Sequence, residues 1–204
     1  MASGCALPEA ALPRRIAVLV SGRGSNLQAI LDAIATGELA AEIVGVFSDK
    51  PGCTALTRVD ETLRWSRDAR RYAERARFDA ELADAVAANR PDWVVCAGYM
   101  RILGEDFVRR FGDHLINIHP SLLPKYPGLH THRRALEAGD AEHGASVHWV
   151  TCGLDAGDVI AQARIAIRPG EDAASLAARL LPLEHALLLS VLHQAVGGRL
   201  PPPT

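Results

Sequence analysis

Apolar runs of strand length alternate along this chain with stretches whose apolar residues recur at helical spacing, the pattern of an α/β domain. Residues 16–20 (IAVLV) are uniformly apolar, as in a strand buried on both faces of a parallel sheet. They run into the turn Ser21-Gly22-Arg23-Gly24-Ser25-Asn26, after which Leu27, Ile30, Leu31 and Ile34 predict a helix. Ser25 or Asn26 is the expected N-cap of that helix and Gly37 its stop. Residues 42–47 predict a second strand, closed by the turn residues Asp49, Lys50, Pro51 and Gly52.

Residues 53–77 are rich in arginine and carry only a weak apolar period, so a helix is expected somewhere within them without definable limits. Phe78, Leu82 and Val86 mark a further helix that Pro91 stops, and residues 93–97 predict a third strand. A short helix over 106–111 and a strand over 115–118 follow, then a loop from 120 to 127 with three prolines, which cannot be regular structure. A loop of that kind suggests a site or a lid. Residues 131–137 look helical, 145–150 and 159–167 look like strands, and 173–196 form a strong helical pattern that Pro182 should kink or split.

Composition narrows the class of partner. A formal charge of -2 leaves no basic excess for a run of phosphates, which argues against sequence-blind nucleic-acid binding and favours a small molecule. Cys5, Cys53, Cys96 and Cys152 are scattered without a CxxC pair, as in a reduced cytosolic protein, so no disulfide is expected. Apolar runs such as 186–192 fall far short of the roughly 20 residues a membrane helix needs. Residues 1–13 read as a flexible tail rather than a signal peptide, and the expected compartment is the cytoplasm.

Three segments can carry chemistry. The glycine turn between a buried strand and a helix offers free N–H groups to an anion. It lacks the third glycine of the dinucleotide fingerprint and an acidic residue at the end of the second strand, so a mononucleotide or sugar phosphate fits better than NAD. The second segment is Asn117-Ile118-His119-Pro120: on a strand, Asn117 and His119 project to one side and can face one substrate atom together. An amide donor can stabilise an oxyanion while an imidazole moves a proton, an arrangement suited to acyl transfer. The third is the turn Thr151-Cys152-Gly153-Leu154-Asp155-Ala156-Gly157-Asp158, where spacing does not rank Asp155 against Asp158.

His130 and His132 have no third and fourth ligand at a familiar spacing, so a loop surface is expected there and no metal. His148 and His143 have no evident partner. With no Gly-x-Ser-x-Gly elbow and no catalytic cysteine signature, direct transfer between two bound substrates is the economical mechanism.

The segments SGRGSNL (21–27), AGYMRIL (97–103), LINIHPSLLPKYPGLH (115–130), EHGASV (142–147) and LDAGDVI (154–160) together resemble the glycinamide ribonucleotide formyltransferases of de novo purine synthesis. The likeness runs in order over about residues 16–200. It implies a Rossmann-like α/β fold, a mostly parallel central sheet flanked by helices with a C-terminal antiparallel portion. A single domain over 14–200 would comprise a phosphate-binding half (14–113) and a folate and catalytic half (114–200).

The resemblance further implies that 10-formyltetrahydrofolate donates its formyl group to the amine of glycinamide ribonucleotide, with Asn117, His119 and Asp155 as catalytic residues. Gly24, Ser25, Asn26 and Glu184 would bind the ribotide. Met100, Arg101, Ile102, Leu103, Asn117, Thr151, Cys152, Gly153, Leu154 and Asp155 would frame the folate, with Arg75 at its tail and Ser146 supporting the Asp155 loop. Relatives carry a short strand where residues 53–77 show none, and polar residues where Leu181 and Pro182 stand. Formyl-folate hydrolysis and a non-catalytic ribotide-binding module are the alternative readings, and a homodimer is compatible with the sequence.

Overall fold

The computed structural model describes residues 12–203, so most of the expected tail, Cys5 included, lies outside the described residues. One mixed sheet of seven strands runs through the molecule in the order β3-β2-β1-β4-β5-β6-β7. The strands are β1 (Arg14–Val20), β2 (Ala41–Ser48), β3 (Arg64–Ser66), β4 (Trp93–Cys96), β5 (Leu115–His119), β6 (Glu142–Trp149) and β7 (Val159–Ala166). β1 to β5 pair in parallel, whereas β6 and β7 are antiparallel, in agreement with the expected C-terminal antiparallel portion.

The helices are α1 (Ser25–Ala35), α2 (Arg75–Ala88), α3 (Glu105–Phe111), α4 (Thr131–Glu137) and α5 (Ala173–Val196). Alternation along the strands divides the core in two. Ile16, Val18, Val20, Val95, Ile116 and Ile118 pack with α1 and α5, while Ala17, Leu19, Val94, Cys96 and Leu115 pack with α2 and α3. The chain leaves β1 in one direction to build β2 and β3, then crosses to the other side of β1 to add β4. The carboxyl ends of β1 and β4 therefore flank a topological switch point, the place where open α/β sheets leave room for a ligand.

Three expectations change. Residues 53–77 do contain a short strand, β3, which pairs in parallel with Val46, Phe47 and Ser48 at the sheet edge, and short 3-10 turns rather than a helix flank it. The N-cap of α1 is neither Ser25 nor Asn26 but Gly24, in the left-handed region and without a side-chain cap. Pro182 does not split α5, which continues through it because Leu176, Leu180, Leu188, Val191 and Leu192 are buried on both sides of the proline. By length and composition α5 could cross a membrane, but here Leu180, Leu188, Val191 and Leu192 pack into the core against the sheet. Cys53, Cys96 and Cys152 are free thiols.

Candidate active site

The glycine turn is fixed from below. Ser21 Oγ donates to the buried Asp49 carboxylate at 2.6 Å and accepts from the Met100 N–H at 2.9 Å, tying the end of β1 to the segment that follows β4. Asp49, which lies where a ribose-binding acid could sit, is thus engaged in the scaffold. Gly24 holds φ 74°, and a Cβ there would stand 2.5 Å from Ala55 Cβ, so both the backbone and the space require glycine. Asn26, in the first turn of α1, is buried with its Oδ1 unpartnered among the described residues, and it hydrogen-bonds Glu184 of α5. Burial pushes the Glu184 carboxyl up to about 7, and the Asn26 bond only partly opposes this.

Asn117 and His119 share the sheet face of Leu115, as period two requires, and lie where β5 outruns the cover of α2 and α3. Across the antiparallel pair, Asn117 sits opposite His148 and His119 opposite Ser146. His148 Nδ1 lies 2.8 Å from the Trp149 carbonyl, which only accepts, so that nitrogen carries the proton. Nε2 of the neutral ring then accepts from Asn117 Nδ2 at 2.9 Å, which orients the amide and leaves its second N–H for another partner. His148 is therefore a site residue that sequence reasoning missed. The alternation that pairs Asn117 with His119 also runs along β6, but the β5–β6 register was needed to bring His148 opposite.

His119 obeys the same logic. Its Nε2 donates to the Tyr126 carbonyl at 3.0 Å, so the Nδ1 of a neutral ring turns a lone pair toward Asp155 Oδ2 at 3.4 Å. Two acceptors face each other there, and a proton arriving between them would convert the contact into a charge-assisted hydrogen bond. Burial holds the imidazole below its ordinary range, against the Tyr126 bond and the Asp155 charge, so it rests neutral. Asp155 reaches this position through a left-handed backbone, φ 49°, and accepts from the Gly128 N–H at 2.8 Å. Burial pushes its carboxyl up, but the His148 and His119 rings, when they carry a proton toward it, and the Gly128 N–H pull it below its usual range.

These groups line one cavity of about 710 Å³ at the switch point. Of the expected site residues, Asn26, Met100, Arg101, Ile102, Leu103, Asn117, His119, Thr151, Gly153, Leu154, Asp155 and Glu184 line it. Gly24, Ser25, Cys152 and Arg75 do not: the first two lie in the turn beside it, and the Cys152 thiol is exposed. Arg75 binds the Ile102 carbonyl and pairs with Asp79 at 3.2 Å, bracing the 100–103 segment from behind.

Ser146 differs from expectation. Its hydroxyl donates to the Ser121 carbonyl at 2.7 Å and accepts from Leu123 N–H at 3.1 Å and Gln162 Nε2 at 2.9 Å, so it anchors the proline-rich loop after β5, not the Asp155 turn. His132 is not on a loop surface; it is half-buried, lines the cavity and meets His143 edge-on with ring centroids 5.0 Å apart.

Comparison with known proteins places the chain in a family. The formyl transferase family model matches residues 14–192. Phosphoribosylglycinamide formyltransferase of Escherichia coli is 46% identical over 91% of this chain and 88% of its own length. The crystal structure of glycinamide ribonucleotide transformylase 1 from Symbiobacterium toebii superimposes with a TM-score of 0.90 at 38% identity, covering 97% of this chain and 94% of that one. The phosphoribosylglycinamide formyltransferase of Coxiella burnetii, solved with CHES, gives 0.86 at 44% identity over 92% and 89%. With the family model spanning all seven strands and relatives of this identity aligned over most of both chains, the chain belongs to the formyl transferase family.

Proposed function

We propose that this enzyme transfers the formyl group of 10-formyltetrahydrofolate to the amine of glycinamide ribonucleotide, and that Asn117, His119 and Asp155 carry the transfer. The observation behind the residue roles is their convergence: an amide with an unused N–H, a neutral imidazole and an ionised carboxylate face one cavity beside the glycine turn. The names of the relatives supply the ribotide acceptor and the formyl group, and the sequence resemblance supplies the folate donor.

The ribotide amine attacks the formyl carbon, forming the new C–N bond and turning the carbonyl oxygen into an oxyanion. The second N–H of Asn117, aimed by His148, donates to that oxyanion. The amine proton passes to the His119–Asp155 pair, where the ionised carboxylate stabilises the imidazolium. The pair then returns a proton to the departing N10 of the folate as the old C–N bond breaks. The backbone N–H groups at the start of α1 suit the ribotide phosphate, and buried Asn26 with Glu184 offers polar partners to its remaining groups. Met100, Ile102 and Leu154 are exposed apolar side chains at the cavity rim, a surface suited to the flat pterin and benzoyl rings. A biosynthetic enzyme of this kind works in the cytoplasm.

Turnover with both substrates tests the assignment. Asn117→Ala, His119→Ala and Asp155→Ala should each lower kcat by about 100-fold or more, the usual consequence of removing a donor or proton carrier from such a site. A near-normal rate in His119→Ala defeats the mechanism. Release of formate without the ribotide would instead favour the hydrolase, and binding of ribotide without folate a sensing module.

A further inference from the structure

Two backbone groups of the loop between β5 and α4 touch the proton-carrying pair: the Tyr126 carbonyl receives His119 Nε2, and the Gly128 N–H reaches Asp155 Oδ2. That stretch of backbone is not one the chain adopts unaided. Tyr126 at φ 56°, Gly128 at φ 79° and His130 at φ 60° are all left-handed, which Tyr and His hold only where the surroundings over-determine it.

The side chain that over-determines it comes from the last turn of α4. Arg134 Nη1 donates to the Pro127 carbonyl at 2.6 Å and to the Leu129 carbonyl at 3.4 Å. Its guanidinium lies 5.3 Å from the centroid of the Tyr126 ring. Among the described residues no carboxylate pairs with it, so its hydrogen bonds go to this loop alone. Both bonds leave one nitrogen of a planar guanidinium whose flat face lies over the ring, a combination of donation and stacking that an ammonium does not reproduce. Arg134 does not line the cavity.

We propose that Arg134 is a positioning residue for formyl transfer, acting through the backbone of residues 126–129 to set the imidazole of His119 and the carboxylate of Asp155. The proposal rests on the roles given above to those two residues. Arg134 touches neither of them nor substrate, so its loss should leave binding nearly intact and misplace the pair that moves the proton.

Arg134→Met keeps the apolar stem and removes the donors, Arg134→Lys keeps the charge and N–H donors but not the planar group over Tyr126, and Arg133→Met is the control. Arg133 is an exposed neighbour whose pair with Glu137, at 3.5 Å, lies on the surface. In Arg134→Met, kcat should fall about 10- to 100-fold with KM for both substrates nearly unchanged, as small misplacements of reacting groups do. Arg134→Lys should fall between it and the parent, and Arg133→Met should match the parent.

A second readout is independent of turnover. Loss of the Gly128 N–H bond should move the Asp155 carboxyl titration, followed by NMR, to higher pH, because that bond favours the ionised form. The other groups facing Asp155 are His119 from β5, His148 from β6 and the Cys96 thiol from β4, and all are kept in the variants. Parent-like kcat and an unmoved Asp155 titration in Arg134→Met overturn the proposal, as does a lowered melting temperature with parent-like kcat per folded enzyme. Should Arg134→Met fail to fold, parent-like kcat in Arg134→Lys overturns it equally. Should His119→Ala and Asp155→Ala retain their rate, the mechanism falls, while the Asp155 titration still reports whether Arg134 holds the loop.

Discussion

Glu184 places a carboxyl in the wall of the cavity at 8% exposure, with Asn26 as its hydrogen-bonding partner, and burial raises its pKa from an ordinary 4.5 to about 7. The consequence for stability has a definite sign. Below the ordinary value both folded and unfolded chains hold the proton, and the full stability is present. As pH rises, the unfolded chain releases its proton first, so stability falls until the folded carboxyl also ionises near pH 7, and the loss is then complete. Going from 4.5 to about 7 at 1.36 kcal/mol per pH unit amounts to about 3 kcal/mol. Glu184→Gln, which keeps the shape and a hydrogen bond to Asn26 but cannot ionise, should match the parent below pH 4.5 and exceed it by up to about 3 kcal/mol above pH 7. Urea unfolding of both proteins across that range measures it. A difference independent of pH would mean that Glu184 is not held protonated by burial, and the reasoning would be wrong. The same substitution should raise KM for the ribotide, since a destabilising carboxylate in a ligand cavity is retained where binding uses it.

The remaining predictions concern the support of the two substrate ends. His148→Phe preserves volume but removes the acceptor that orients Asn117. It should lower kcat about 10- to 100-fold with little change in KM, and parent-like kcat would show that Asn117 needs no such partner. Gly24→Ala forces a side chain into φ 74° and against Ala55. It should cost about 1–3 kcal/mol of stability and weaken ribotide binding, which thermal unfolding and ribotide KM will show; an unchanged pair of values would mean that the turn relaxes without harm to the phosphate end.

What was legible in the sequence and what was not divides along the range of the interactions involved. The central strands show in the apolar pattern because burial on both faces dictates each residue locally, and α1 and α5 show because each buries an apolar stripe at helical spacing. β3 does not: of Arg64, Trp65 and Ser66 only Trp65 is apolar, too short a signal to mark a strand, and the three form one by pairing with the edge of β2. Asn117 and His119 follow from period two within one strand, a local rule. His148 and Ser146 obey the same rule on β6, yet their partners are set by a register spanning some thirty residues of chain, so one looked incidental and the other was given the wrong loop.

The choice between Asp155 and Asp158 was of the same kind. Spacing could not rank them, and resemblance selected Asp155. The physical reason is a left-handed turn that folds its carboxylate back to Gly128 and His119, and of the two only Asp155 lines the cavity. The residues that define the pair's geometry thus come from three separate segments: the end of β5, the loop before α4 and the turn after β6. Each segment alone reads as ordinary strand or loop. Arg134 illustrates the limit most sharply, because in sequence it is one of two adjacent arginines on a short helix. It gains meaning only when the carbonyls of Pro127 and Leu129 are seen to converge on it, and with them the backbone groups that hold His119 and Asp155.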